Sequence, residues 1–98
     1  MKSIMETEHT RTCYACGCTA TQNFMHEHHV FGGANRKNSE KYGLKVHLCY
    51  VCHTDNKMGV HGQNKELMKK LHEEGQKAFE RVHGSREDFI KIFGKNYL

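Results

Sequence analysis

Proline and tryptophan are missing from this chain, and so is any long apolar run. Without proline, turns fall to the nine glycines and to Asn, Asp and Ser. With no tryptophan and only 37% hydrophobic residues in 98, the core is thin. A chain of this size buries only about two thirds of its unfolded surface, so it is expected to form one domain that needs a staple. No window approaches the roughly 18 apolar residues of a membrane span, which excludes a membrane role of that kind. Met1 to Glu8 carry no apolar h-region, so no secretory signal is expected. An odd cysteine count without signs of secretion argues against a disulfide scaffold.

What the chain has in abundance is histidine, nine residues, alongside five cysteines. In a small intracellular protein that combination reads first as a metal domain. The formal net charge is +4, a weak pointer to a polyanion partner. Four thiolates around one Zn²⁺ subtract two charges, and a second divalent ion restores them, so the metallated protein keeps its mildly basic balance.

Cys13-x-x-Cys16 and Cys49-x-x-Cys52 are two pairs with 32 residues between them. Two intervening residues let both sulfurs of a pair reach one ion about 2.3 Å away, and two pairs complete a closed tetrahedral zinc site. Such a site would supply much of the folding free energy. Cys18 is left over as a spare.

Residues 1–11 are polar and aperiodic and are expected to form a disordered tail. Residues 12–62 form the zinc-stapled core and 63–98 a helical extension of the same domain. Within the core, 23–31 suits a short strand that ends at Gly32-Gly33, and 34–43 reads as a polar, basic connection. Leu44-Lys45-Val46-His47-Leu48 alternates apolar and polar, as a half-buried strand does. Cys49 to His53 opens a helix running to about Met58. Leu67, Met68, Leu71, Gly75, Ala78, Phe79 and Val82 then recur at helical spacing. Ser85-Arg86-Glu87-Asp88 resembles a capping box ahead of a short helix closed by Gly94. The fold class is therefore α+β.

His28 and His29 end the first strand, and His53 directly follows Cys52. The zinc clip brings His53 beside the strand end despite its distance in sequence. Adjacent strand residues face opposite ways, so one histidine of the pair can join His53 on a divalent metal while the other takes a proton from a substrate.

This order of Cys-x-x-Cys, a strand-terminal His-His and a helix-opening Leu-Cys-x-x-Cys-His resembles the HNH (ββα-metal, treble-clef-like) nucleases of the zinc-containing phage-type branch, over roughly residues 13–61. The resemblance implies a DNA endonuclease in which His28 and His53 bind a catalytic Mg²⁺ or Mn²⁺ and His29 is the general base. Leu44 stands where many members have an asparagine, which leaves His47, Asn38 or a backbone carbonyl to orient the base. His61, after Gly59, is either a third ligand or a surface histidine. His-His-Val-Phe-Gly-Gly, Gly-Val-His and the terminal Phe-Gly-Lys-Asn-Tyr also resemble phage and prophage proteins, some linked to recombination. That adds recombinase-coated DNA as an expected partner and the cytoplasm of a bacterial host as the place of action.

Arg36, Lys37 and Lys41 are the candidates for phosphate contact, because they lie between the strands near the proposed site; Lys45 could add to that patch. His26 shares a strand face with His28, either in support of the site or simply exposed. His9, His72 and His83 read as solvated. The reading from another class is a non-catalytic zinc module that recognises DNA or a protein, and a third is a zinc-dependent protein partner using the helical extension as its interface.

Overall fold

Two alternating segments pair as an antiparallel hairpin, β1 (Met25–His29) and β2 (Lys45–Cys49). The computed structural model describes residues 2–7, 11–19 and 24–98. The register sets His26 against Leu48, Glu27 against His47, His28 against Val46 and His29 against Lys45. Because strand side chains alternate, one face carries His26, His28, Val46 and Leu48, and the other Glu27, His29, Lys45 and His47. Val46, Leu48 and His28 are buried. The charged residues take the opposite face.

The segment between the strands is not the open connection that its polarity suggests. A short 3-10 turn at Gly33–Asn35 leads into α1 (Arg36–Tyr42). Its one buried residue, Ser39, explains the docking: the hydroxyl donates to Phe31 O at 2.8 Å and accepts from Phe31 N at 3.0 Å. Gly43 closes the helix in the left-handed region at φ 72°. A Cβ there would also collide with the backbone of Lys2.

After β2 comes α2 (Tyr50–Thr54), shorter than expected. Asp55 ends it because its backbone is extended and its carboxylate accepts from the N–H groups of Lys57 and Met58, which could otherwise have continued the helix. α3 (Lys65–Val82) begins at Asn64, whose side chain accepts from Leu67 N. α4 (Arg86–Phe93) carries the expected reciprocal capping box between Ser85 and Asp88.

The core forms where α3 and α4 lie over the strand ends. Phe31 is its centre, with ring centroids of Phe93, Tyr97, His72 and Phe89 at 4.9 to 5.3 Å. Gly75 lets α3 approach closely: a Cβ would stand 2.9 Å from Val30 Cγ1. Asn35 and Asn38 donate to the carbonyls of Phe93 and Ile92, so α1 satisfies orphan acceptors at the end of α4. Among the described residues no helix is long and apolar enough to cross a membrane.

The tail expected over residues 1–11 is ordered where it is described, at residues 2–7. A two-stranded sheet leaves the outer edge of β2 with unpaired backbone groups, and this segment supplies partners. Ile4 N donates to Gly43 O at 2.9 Å, Ser3 Oγ donates to Lys45 O, and Glu6 accepts from His47 N and pairs with His47 Nδ1 at 2.8 Å. These are polar side-chain contacts without periodicity, so hydrophobic patterning carries no trace of them. Glu6→Ala should cost about 1–3 kcal/mol, as a lost charged hydrogen bond does. A drop in melting temperature of roughly 4–8 °C per kcal/mol would report it; an unchanged melt would show that the segment contributes nothing to stability.

Candidate metal centres and the cleft beside them

The first centre is made of sulfur. Cys13 to Cys18 form a tight knuckle in which Cys13 N donates to Cys18 O, Gly17 N to Cys13 O, and Cys16 N to Cys13 Sγ at 3.5 Å. Gly17 takes a positive φ of 78° to complete the turn. Tyr14 N donates to His47 O and fixes the knuckle to β2, which ends at Cys49. The sulfurs of Cys13, Cys16, Cys18 and Cys49 all lie within 4.8 Å of one another. A tetrahedral zinc with bonds of about 2.3 Å needs sulfurs roughly 3.8 Å apart, and Cys16 Sγ and Cys49 Sγ stand at 3.8 Å.

This quartet differs by one member from the one that the spacing implies. Cys18, set aside as a spare, stands in it. Cys52 is buried close by, near enough for the thiols of Cys49, Cys16 and Cys13 to act on its own. Five sulfurs therefore surround a place that takes four. All five are free thiols. Burial acts to raise the Cys13 thiol, but the N–H groups of Cys16, Cys49 and Ala15 outweigh it and bring Cys13 down to about 7. Burial pushes Cys52 up, and its neighbouring thiols add to that. A cluster of this kind can hold a zinc ion, which would deprotonate the thiols that bind it.

The second centre is made of imidazoles. His28 is 4% exposed, and its Nε2 is buried with no hydrogen-bond partner. His28, His53 and His61 each offer one ring nitrogen, and these three lie within 4.8 Å of one another. The chain doubles back to bring His61 there. Val60 N donates to Cys52 O, and His61 N to His53 O, across a tight loop in which Cβ atoms at Gly59 and Gly62 would strike the Asp55 backbone. His61 Nε2 then stands 3.0 Å from His53 Nε2. His26 also belongs to this group: its Nδ1 is 2.9 Å from His53 Nδ1. In that position it can accept from His53 Nδ1 and leave His53 Nε2 to face an ion. Burial, followed by the charges of His53 and His61, pushes His28 down to about 3, and burial also lowers His53. His28 is therefore neutral at ordinary pH, with a lone pair available to an ion. An orphaned buried nitrogen facing two more imidazoles is a donor set that fits a divalent metal.

His29, one residue on, faces the other way. Its Nε2 lies 3.0 Å from Glu40 Oε1 and 4.0 Å from Glu27 Oε1. Lys45 Nζ sits between the same carboxylates, 2.8 Å from Glu40 Oε2 and 3.8 Å from Glu27 Oε1. Lys45, followed by His29, holds the Glu40 carboxyl far below the usual range, at about 2. Glu27, His29 and Glu40 also stand close enough to share an ion, but the Lys45 ammonium already meets that charge. An open cleft of about 410 Å³ begins here, lined by His29, Gly33, Arg36, Lys37 and Glu40.

Of the expected phosphate-binding residues, the fold thus brings Arg36 and Lys37 to His29. Lys41 does not line the cleft, and its ammonium lies 5.4 Å from the Tyr42 ring centroid. Lys45 serves the carboxylates and is not part of an open basic patch. Neither residue suggested as a substitute for the missing asparagine bonds His29: Asn38 bonds Asn35 and α4, and His47 bonds Glu6. Glu40 is the residue that bonds His29, and it carried no sequence signal, being one acidic residue in a polar stretch. His72 is not solvated but stacks on Phe31 at 5.1 Å, and His83 pairs with Tyr42 O. His9 lies outside the described residues. No protein-family model, no curated protein and no solved structure matches the chain.

Native mass spectrometry or elemental analysis should find one tightly held zinc per chain, and Cys49→Ser should lose it together with most of the stability, because structural zinc is worth about 10–16 kcal/mol to small domains. Cys18→Ser and Cys52→Ser, compared side by side, identify the fourth ligand: the variant that loses zinc names it. Zinc-free folded protein would sink the assignment.

Proposed function

We propose that this protein is a metal-dependent endonuclease of the HNH (ββα-metal) type that hydrolyses DNA phosphodiester bonds. One observation carries the reading. His28, which has an unpartnered buried nitrogen, is grouped with His53 and His61, while its neighbour His29 lines an open cleft with Arg36 and Lys37. That divides metal binding and proton transfer between adjacent residues at a strand end.

His28, His53 and His61 would hold a divalent ion, which would supply positive charge to the phosphate undergoing hydrolysis. Arg36 and Lys37 hold the flanking phosphates in the cleft. His29 accepts a proton from the attacking water as its oxygen bonds to phosphorus. The bond from phosphorus to the leaving oxygen breaks, and that oxygen takes a proton from solvent. Three imidazoles without a carboxylate suit Zn²⁺ or Ni²⁺ better than Mg²⁺ or Mn²⁺, which favour oxygen donors.

A non-catalytic zinc module remains the second reading. The network of His29 with Glu40, Lys45 and Glu27 favours it, since such a network can also serve as surface structure.

Nicking of supercoiled plasmid, assayed with Zn²⁺, Ni²⁺, Mn²⁺, Mg²⁺ and EDTA, tests the proposal. His29→Ala should lower the rate roughly 10²–10⁴-fold while zinc content and DNA affinity stay near wild type. A His29→Ala protein that cuts as well as wild type, with contaminating nucleases excluded, removes His29 as the base; wild-type protein that cuts with none of these metals leaves the non-catalytic module. Replacing Arg36 and Lys37 together by Ala should weaken binding to all duplex sequences alike and flatten the log–log salt slope by roughly 2, as two lost phosphate contacts require. An unchanged salt slope would show that these residues do not touch the backbone.

A further inference from the structure

We infer that Glu40 is the positioning residue of the base, holding His29 with its proton on Nε2 so that Nδ1 is the nitrogen left to accept a proton. The inference rests on the nuclease reading for its consequence and on geometry for its substance. Glu40 Oε1 stands 3.0 Å from His29 Nε2, and Lys45 Nζ takes the other carboxylate oxygen at 2.8 Å. An ionised carboxylate only accepts hydrogen bonds, so the shared hydrogen belongs to the imidazole. The Lys45 ammonium keeps the carboxylate ionised. Among the described residues no hydrogen bond involves His29 Nδ1, so that nitrogen retains its lone pair.

The arrangement is held from several sides. His29 and Lys45 are cross-strand partners, so the hairpin register alone delivers both to one carboxylate. Glu40 follows Ser39, whose two hydrogen bonds to the Phe31 backbone pin α1 to the chain just after β1. It also precedes the tight closure at Gly43. Glu27, at 4.0 Å from His29, is too distant to replace it. Leu44, just before β2, therefore costs the chain nothing in base orientation, because the helix between the strands supplies the acceptor.

Two measurements test this. Side-chain ¹⁵N NMR of wild-type protein should show His29 as the Nε2–H tautomer, and Glu40→Ala should redistribute the proton between the two nitrogens. In the plasmid assay Glu40→Ala should lower kcat about 10- to 100-fold, as loss of an orienting partner does, with KM little changed. Glu40→Gln, which keeps an acceptor oxygen but not the charge, should recover part of the loss. Zinc content and melting temperature report whether each variant is folded. An Nδ1–H tautomer in wild type, or wild-type kcat in both folded variants, overturns the inference. If wild type cuts no DNA with any metal, the nuclease reading fails, and the tautomer measurement still decides whether Glu40 sets the proton on His29.

Discussion

The antiparallel register that places His28 opposite Val46 and His29 opposite Lys45 governs both sides of this molecule. With a side-chain period of two, a slip of one residue would send His28 out to the carboxylates and bring His29 into the core. The apolar residues of β2 prevent that slip, since Val46 and Leu48 must both be buried. Burial of two aliphatic side chains thus decides which histidine can meet metal ligands and which can meet solvent. The register is reinforced at both ends, by Val30 N on Leu44 O and Tyr50 N on Phe24 O.

A two-stranded sheet is marginal in water on its own, and three attachments support this one. The sulfur cluster joins the knuckle to the end of β2. The N-terminal segment covers the open edge of β2 with Ser3, Ile4 and Glu6. The aromatic group around Phe31 joins the end of β1 to α3 and α4, with Gly75 allowing the close approach. Each attachment acts on a different part of the hairpin. The two histidines lie between the sulfur cluster and the aromatic group, so their backbone is held from both directions.

Electrostatics separates the two faces further. On the buried side, His28 is kept neutral by burial and by the neighbouring imidazoles, the state in which imidazole binds a metal. On the open side, Lys45 keeps Glu40 ionised, the state in which a carboxylate can direct an imidazole proton. The same ring type is thereby prepared for two tasks by different surroundings.

Much of this was legible in the residues themselves. Alternation at 44–48 marked β2, the apolar stripe from Leu67 to Val82 marked α3, and Ser85 with Asp88 marked the cap of α4, because each signal is local and carried by neighbours in the chain. The cysteine spacing marked a zinc-type cluster, and His28, His29 and His53 were singled out by their places beside it. Tertiary structure alone decided the rest. Whether Cys18 or Cys52 stands in the sulfur quartet depends on how a six-residue knuckle folds against β2. His61 joins His53 only because Gly59 and Gly62 let the loop close. Glu40 meets His29, and Glu6 meets His47, through isolated polar contacts over 11 and 41 residues. Such contacts leave no periodic trace, since they need one donor and one acceptor at the right separation, and only the packed chain sets that separation.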